Sequence, residues 1–233
     1  MGYLLHIANK NYSSWSLRPW ALMRELGIPF DEMLTPFTDA EDNHARFAAF
    51  SPNAKVPCLV DGETTVWESL SIIEYLAERH PGVWPDSPQA RAWARSAAAE
   101  MHAGFTALRS RCPMNCALVL RLAAIDAPLA ADLARIDALW RDGLKRFSGP
   151  FLAGSRFTAV DAFFAPVALR WAGFGLPLSA QSAAYAERLL ASAALREWRA
   201  AALDEPAEAG HEAQALAGAE LVEDLRAPAH RVR

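Results

Sequence analysis

"SPNAKVPCLVDGETTVWESLSIIEYLAERHPG", residues 51 to 82, carries the densest structural signals in the chain. Val56 to Val60 and Thr65 to Trp67 are short apolar runs joined through Asp61-Gly62, and a D-G pair between such runs signals a hairpin. Pro57 stands directly before the first strand core, where an X-Pro bond can be cis in a sharp turn. Val56 could then offer its main-chain amide and carbonyl to an extended peptide. Ser69 opens a helix whose Leu70, Ile72, Ile73 and Leu76 share one face, and His80-Pro81-Gly82 stops it. At that junction of strand and helix, Ser69 can cap the helix or bind a carboxylate, leaving Glu68 for an ammonium group.

Upstream, Tyr3 to Ala8 is an apolar run of strand length, followed by "NKNYSSWSLRPWALMRELG", residues 9 to 27. Leu17, Trp20, Ala21, Leu22 and Leu26 recur at helical spacing up to Gly27, with Pro29 beyond the stop. Ser16 reads as the N-cap of a helix beginning at Leu17, and Pro19 falls in its first turn, where a missing amide proton costs no helical bond. Phe30 to Leu34 is a second strand and Glu41 to Phe50 a short irregular helix. The free amides and positive dipole end of the first helix favour an anion, and the Ser13 and Ser14 hydroxyls can donate to it. The same serines are equally able to do no more than cap the helix.

Downstream, prolines and a glycine between Pro81 and Pro88 mark a boundary. The expected division is 1–80, a linker over 81–88, and a helical domain over 89–233. Gln89 to Arg111, Ala117 to Phe147, Val160 to Gly173 and Gln181 to Leu203 are alanine- and leucine-rich at helical spacing, with no convincing strand. The fold class is therefore α+β, a small mixed domain followed by an all-α bundle. Thr158, with Asp161 three residues on, forms a capping box that nucleates a helix and does no chemistry. From about 204 the polar sequence reads as a mobile or loosely packed tail.

A net charge of −4 without a basic run argues against nucleic-acid binding. No stretch approaches 18 uninterrupted apolar residues, and the start lacks a signal-peptide pattern, so no membrane partner and a cytoplasmic location are expected. Cys58, Cys112 and Cys116 are too few for a disulfide framework; Cys112 and Cys116 are a redox pair or, more plainly, two reduced thiols beside a helix break. The six histidines show no metal spacing, and no metal is expected.

Taken together, "SPNAKVPCL", "ESLSIIEYLAERHP" and "FLAGSRFTAVD", spread in order over about 160 residues, resemble the cytosolic glutathione transferases. The resemblance implies a thioredoxin-like domain before the helical one, glutathione as cosubstrate, and a homodimer. It implies main-chain pairing of glutathione at Val56, with Pro57 as the cis-proline, and a γ-glutamyl clamp at Glu68 and Ser69. Lys55 would meet the glycyl carboxylate or remain an ordinary solvated side chain. Ser13, five residues before Arg18, is similar to the catalytic serine of the zeta and tau classes, with Ser14 beside it, although Trp15 replaces the cysteine of zeta enzymes. The helix lining the electrophile pocket in the family would bring Met101, Phe105, Arg109, Met114 and Asn115, with Trp15 either walling the same pocket or packing under the turn; the helical spacing of the apolar ones also suits simple core. The implied reaction is attack of glutathione thiolate on a small hydrophobic electrophile, or peroxide reduction. The alternatives are a zeta-like cis-trans isomerase and a non-catalytic glutathione-binding protein.

Overall fold

A computed structural model describes residues 2–38 and 42–231. The first part of the chain runs β1 (Tyr3–Ile7), α1 (Ser14–Glu25), β2 (Phe30–Leu34), α2 (Asn43–Ala48), β3 (Cys58–Asp61), β4 (Thr64–Trp67) and α3 (Ser69–Ala77). Its sheet has the order β2-β1-β3-β4, with β1 parallel to β2 and β3 antiparallel to both its neighbours, which is a thioredoxin-like arrangement. Asp61 pairs with Thr64 across a two-residue turn, and Gly62 at φ 58 supplies the left-handed conformation that such a turn needs. The Val56-Pro57 bond is cis. Glu41, where the sequence suggested a helix start, lies outside the described residues; α2 is capped by Asp42, whose carboxylate accepts from the His44 amide at 2.9 Å.

Two helix starts differ from expectation. α1 begins at Ser14, and its N-cap is Ser13, not Ser16. The preceding turn explains this: the Asn9 carbonyl accepts from the amides of Tyr12 (3.1 Å) and Ser13 (2.8 Å), so the chain has already come round by Ser13. Pro19 consequently lies inside the helix, where it cannot supply the amide that the Trp15 carbonyl would normally receive. At α3, Glu68 occupies the N-cap at φ 69, and Ser69 is the first helical residue. Ser69 does not cap: its hydroxyl is buried without a partner among the described residues.

The second part comprises α4 (Pro88–Ala103), α5 (Thr106–Arg111), β5 (Leu118–Leu122), α6 (Ala127–Arg146), α7 (Ala159–Phe174), α8 (Ala180–Leu190), α9 (Ala193–Leu203), α10 (Ala209–Leu216) and β6 (Ala219–Asp224). α7 is buried on every side from Ala159 to Arg170, as a helix apolar all round must be, and it packs against α1, α4 and α8. Trp20 of α1 meets Trp198 of α9 edge to face at 5.0 Å, so one core runs through both parts. A Cβ on Gly143 of α6 would stand 2.4 Å from the Trp93 ring and 2.7 Å from the Leu152 carbonyl oxygen, so glycine is what lets α6 close onto α4. Among the described residues no helix is long and apolar enough to cross a membrane.

The capping box at α7 is present, but Asp161 is fully buried and does more than cap. Its carboxylate accepts from the Thr158 amide (2.9 Å), the Leu152 amide (3.1 Å) and the Tyr185 hydroxyl (2.8 Å). Burial pushes its pKa up to about 6, against the pull of those bonds.

The helical part also holds a two-stranded sheet that the sequence reading missed. β5 lies within the segment expected to be helical and pairs antiparallel with β6, Leu118 opposite Asp224 and Leu122 opposite Ala219. The expected mobile tail is thus folded back. Arg226 anchors it, donating to Glu212 and Asp224 at 2.9 Å each, with the guanidinium almost fully buried.

Candidate functional site

The turn between β1 and α1 is fixed from several sides. The Asn11 side-chain carbonyl accepts from the amides of Cys116 (2.7 Å) and Ala117 (3.1 Å), tying the turn to the helical part. The Glu205 carboxylate accepts from the amides of Lys10 (2.8 Å) and Asn11 (3.0 Å). Tyr12 donates its hydroxyl to Glu212 at 2.6 Å and accepts from the Glu208 amide at 2.9 Å. Burial and the Glu212 bond push this phenol up to about 12, so Tyr12 is a fixed donor and not a base.

At the end of this turn the two serines have different freedom. Ser13 donates to the Ser16 hydroxyl at 2.7 Å and accepts from the Ser16 amide, so its proton is directed into the helix cap. Ser14 is half-buried, and its oxygen accepts from Arg170 Nη2 at 3.5 Å, which leaves its own proton to donate elsewhere. Arg18, the arginine of the Ser13 spacing, lines neither of the two cavities at this turn. It is buried with its guanidinium carbon 4.1 Å from the Trp15 ring centre and 4.7 Å from that of Phe163, and its Nε and Nη1 have no partner among the described residues. Burial, with Arg170 and Arg109 nearby, holds its pKa well below the usual value.

Two cavities meet at this turn. The larger, about 620 Å³, includes Ser13, Ser14, Met114, Arg170 and His211 in its wall. The smaller, about 340 Å³, includes Asn53, Pro57, Glu68 and His102. Trp15, Lys55, Val56 and Arg109 belong to both, so the cavities are adjoining. In the smaller one, Asn53 donates to Glu68 at 3.1 Å, and His102 Nε2 stands 4.0 Å from the other carboxylate oxygen. Burial and then the Arg18 charge lower the His102 pKa, so at neutral pH the imidazole does not neutralise Glu68. The orphaned Ser69 hydroxyl lies one residue further on. The Arg109 guanidinium is stacked 4.4 Å from the Trp15 ring centre.

The structure gathers Ser13, Ser14, Trp15, Lys55, Val56, Pro57, Glu68, Arg109 and Met114 around these cavities, but not the remaining candidates. Met101 is a core residue with no exposure, which is the simple-core alternative for its helical spacing. Phe105 is buried at the junction of α4 and α5 with φ 56. Asn115 serves the tail and β5: it donates to Glu212 at 3.2 Å and accepts from the amides of Ala117 and Leu118, both at 3.0 Å. Cys112 and Cys116 are free thiols, pushed up by burial to about 11 and about 12, and are therefore unreactive at neutral pH.

Sequence reasoning missed Arg170 and His211. An arginine in the otherwise apolar "FFAPVALRW" was a readable signal, since a charge within a fully buried helix needs a use. His211 had no such signal, because it enters from the tail. Its ring is stacked between Tyr12 (4.7 Å) and Phe37 (4.8 Å), with Nδ1 2.5 Å from the Glu208 carboxylate.

Residues 12–79 match the family model described as Glutathione S-transferase, N-terminal domain. Glutathione S-transferase GstB of Escherichia coli is 33% identical over 94 residues, covering 36% of this chain and 45% of that protein. The chain spans less than half the length of such curated relatives. Among solved structures, the theta class glutathione S-transferase of Xanthomonas axonopodis pv. citri with glutathione bound is similar with a TM-score of 0.62 at 21% identity, over 84% of this chain and 96% of that one. Ure2p in complex with glutathione is similar with a TM-score of 0.63 at 16% identity, over 85% and 94%. At these identities the structural likeness shows the fold: a thioredoxin-like part followed by a helical part.

Proposed function

We propose that the protein is a glutathione transferase that holds glutathione across the smaller cavity and activates its thiol at the boundary with the larger one. The observation that carries this reading is the junction itself. Trp15, Lys55, Val56 and Arg109 are shared, Glu68 stands on one side, and the Ser14 hydroxyl and the α1 N-terminus stand on the other. Glu68, not neutralised by His102, takes the γ-glutamyl ammonium, and the free amides at the α3 N-terminus, beginning with that of Ser69, take the adjacent carboxylate. Val56 pairs with the cysteinyl main chain, and Lys55 and Arg109 lie within reach of the glycyl end.

Ser14, with its uncommitted proton, is the better donor to the glutathione sulfur; Ser13 holds the helix cap in place. A free thiol of pKa about 8.5 is mostly protonated at neutral pH, and a downward shift of about two units, roughly 2.7 kcal/mol, makes it mostly thiolate. One charge-assisted hydrogen bond, worth roughly 1.5 to 3 kcal/mol, is of that size before the helix terminus is added. The thiolate then attacks a small electrophile whose apolar body rests on Phe37, Phe47 and Met114 in the larger cavity. The nucleophile belongs to glutathione and not to the protein. A homodimer and a cytoplasmic location belong to the same proposal.

The test is the ultraviolet thiolate absorbance of bound glutathione against pH. Wild type is expected to show thiolate near neutrality, Ser14→Ala to raise the apparent pKa by one unit or more, and Ser13→Ala to have the smaller effect. The inward commitment of the Ser13 proton favours one second reading, a glutathione-binding protein without turnover. Tight binding with no thiolate signal in wild type selects it.

A further inference from the structure

Of the three buried arginines among the described residues, Arg18 lies against the Trp15 and Phe163 rings, and the other two are treated in opposite ways. Arg226, 2% exposed, is met by the carboxylates of Glu212 and Asp224. Arg170, 5% exposed, has no carboxylate partner among the described residues: Nε donates to the Cys112 carbonyl at 2.7 Å, Nη1 to the Pro166 carbonyl at 3.3 Å, and Nη2 to Ser14 at 3.5 Å. Burying a cation without a counter-ion is costly, so a buried arginine that serves structure alone is ordinarily paired. Arg170 differs from Arg226 in one more respect, since it lines the larger cavity.

The other permanently charged groups of that wall have the same sign: Arg109 and Lys55 line it too, and among the described residues no aspartate or glutamate does. Among the described residues Arg109 also has only main-chain carbonyls as hydrogen-bond partners, those of His102 and Gly104. Arg18, behind Trp15, adds a further positive charge to the field of both. In a protein of net charge −4, such a basin is selective for anions. Lys55 and Arg109, shared with the smaller cavity, can serve the glycyl carboxylate of glutathione; Arg170 lines the larger cavity only.

We infer that the second substrate is an acidic electrophile, an apolar body bearing a carboxylate that pairs with Arg170 and Arg109. The inference deepens the proposed function and rests on it. A planar guanidinium fork matches a carboxylate in two parallel hydrogen bonds, and its partial desolvation in this cavity strengthens the pairing over that in water.

Two glutathione conjugates that differ only in the charge test it: S-benzylglutathione and S-(4-carboxybenzyl)glutathione, titrated into the full-length protein by calorimetry. Wild type is expected to bind the carboxybenzyl conjugate about tenfold or more tightly, with the preference shrinking at high salt. Arg170→Met is expected to reduce the ratio to below threefold. Arg109→Gln, at a half-buried position, is expected to reduce it as well, and it gives the same reading if the Arg170 variant does not fold. Equal affinities in wild type, or tighter binding of the benzyl conjugate, overturn the inference and leave the glutathione reading standing. A preference that survives the substitutions overturns the assignment to these arginines. If neither conjugate binds, the proposed function falls and the inference falls with it.

Discussion

Arg226 and Arg170 enter the protein interior from different parts of the chain, one from the closing tail and one from the central helix α7, and their partners differ in kind. Around Arg226, two carboxylates and the Asn115 amide share one polar knot that also takes the Tyr12 hydroxyl. Around Arg170 there are main-chain carbonyls, a serine and an open wall. The first arrangement is closed and can only hold the tail against the serine turn; the second leaves a charge in need of a partner. This contrast separates fold-building charge from ligand-seeking charge, and it is open to attack from both ends.

The largest effect is expected at the closed end. Arg226→Met leaves the buried Glu212 and the partly buried Asp224 without their cation, a loss of roughly 3 to 5 kcal/mol. Urea unfolding should show that loss, with β5 and β6 exchanging their amide protons early. A loss under about 1 kcal/mol would mean that the knot is not what holds the tail, and the contrast would dissolve.

Acid sharpens the same comparison with a smaller effect. Burial would raise the Asp224 carboxyl, but the bonds from Arg226 outweigh it and hold the pKa below the usual value. A carboxyl depressed in the folded state contributes stability above its unfolded pKa of about 4 and loses it as pH falls through the folded value. Asp161 runs the other way. Its folded pKa, raised to about 6 by burial, means that the unfolded state binds fewer protons between about pH 4 and 6, so its contribution is greatest in acid and declines as pH rises through that window. Urea titrations of Asp224→Asn and Asp161→Asn against wild type should therefore give ΔΔG slopes of opposite sign with pH. Parallel slopes would show that the tail carboxylates are not governed by Arg226.

How much of this was readable in the sequence depends on how local each signal is. The hairpin at Asp61-Gly62, the cis bond before Cys58 and the α3 face are written within a few residues of themselves, and the sequence reading found them. The β5–β6 pairing joins segments about a hundred residues apart. Each strand is short, and "LVLRL" sits among helix-favouring neighbours, so neither strand announces its partner. The start of α1 was misplaced because Ser13, Ser14 and Ser16 are all competent caps, and the choice is made by the Asn9 carbonyl upstream. The serine turn and the Glu68-Ser69 junction were found as candidates. Arg170 was not, although an arginine among the apolar residues of "FFAPVALRW" is a readable signal; what surrounds it is displayed only by the folded chain.

The smallest expected effect tests the open end of the comparison most severely. Arg170→Met removes a charge-assisted hydrogen bond to the Cys112 carbonyl, worth roughly 1.5 to 3 kcal/mol on its own. It also removes the penalty for holding an uncompensated guanidinium out of water, which is of comparable size. Methionine has a similar length and a flexible, apolar side chain that can fill the space on α7. The two changes nearly cancel, and unfolding stability should shift by no more than about 1 kcal/mol in either direction. Arg170 would then be a residue whose burial the fold tolerates rather than requires, and the selectivity between charged and neutral conjugates would be its only large readout. If Arg170→Met instead costs as much as Arg226→Met, the main-chain carbonyls at Cys112 and Pro166 are sufficient partners. The positive wall of the larger cavity would then be a by-product of packing α7 against the serine turn.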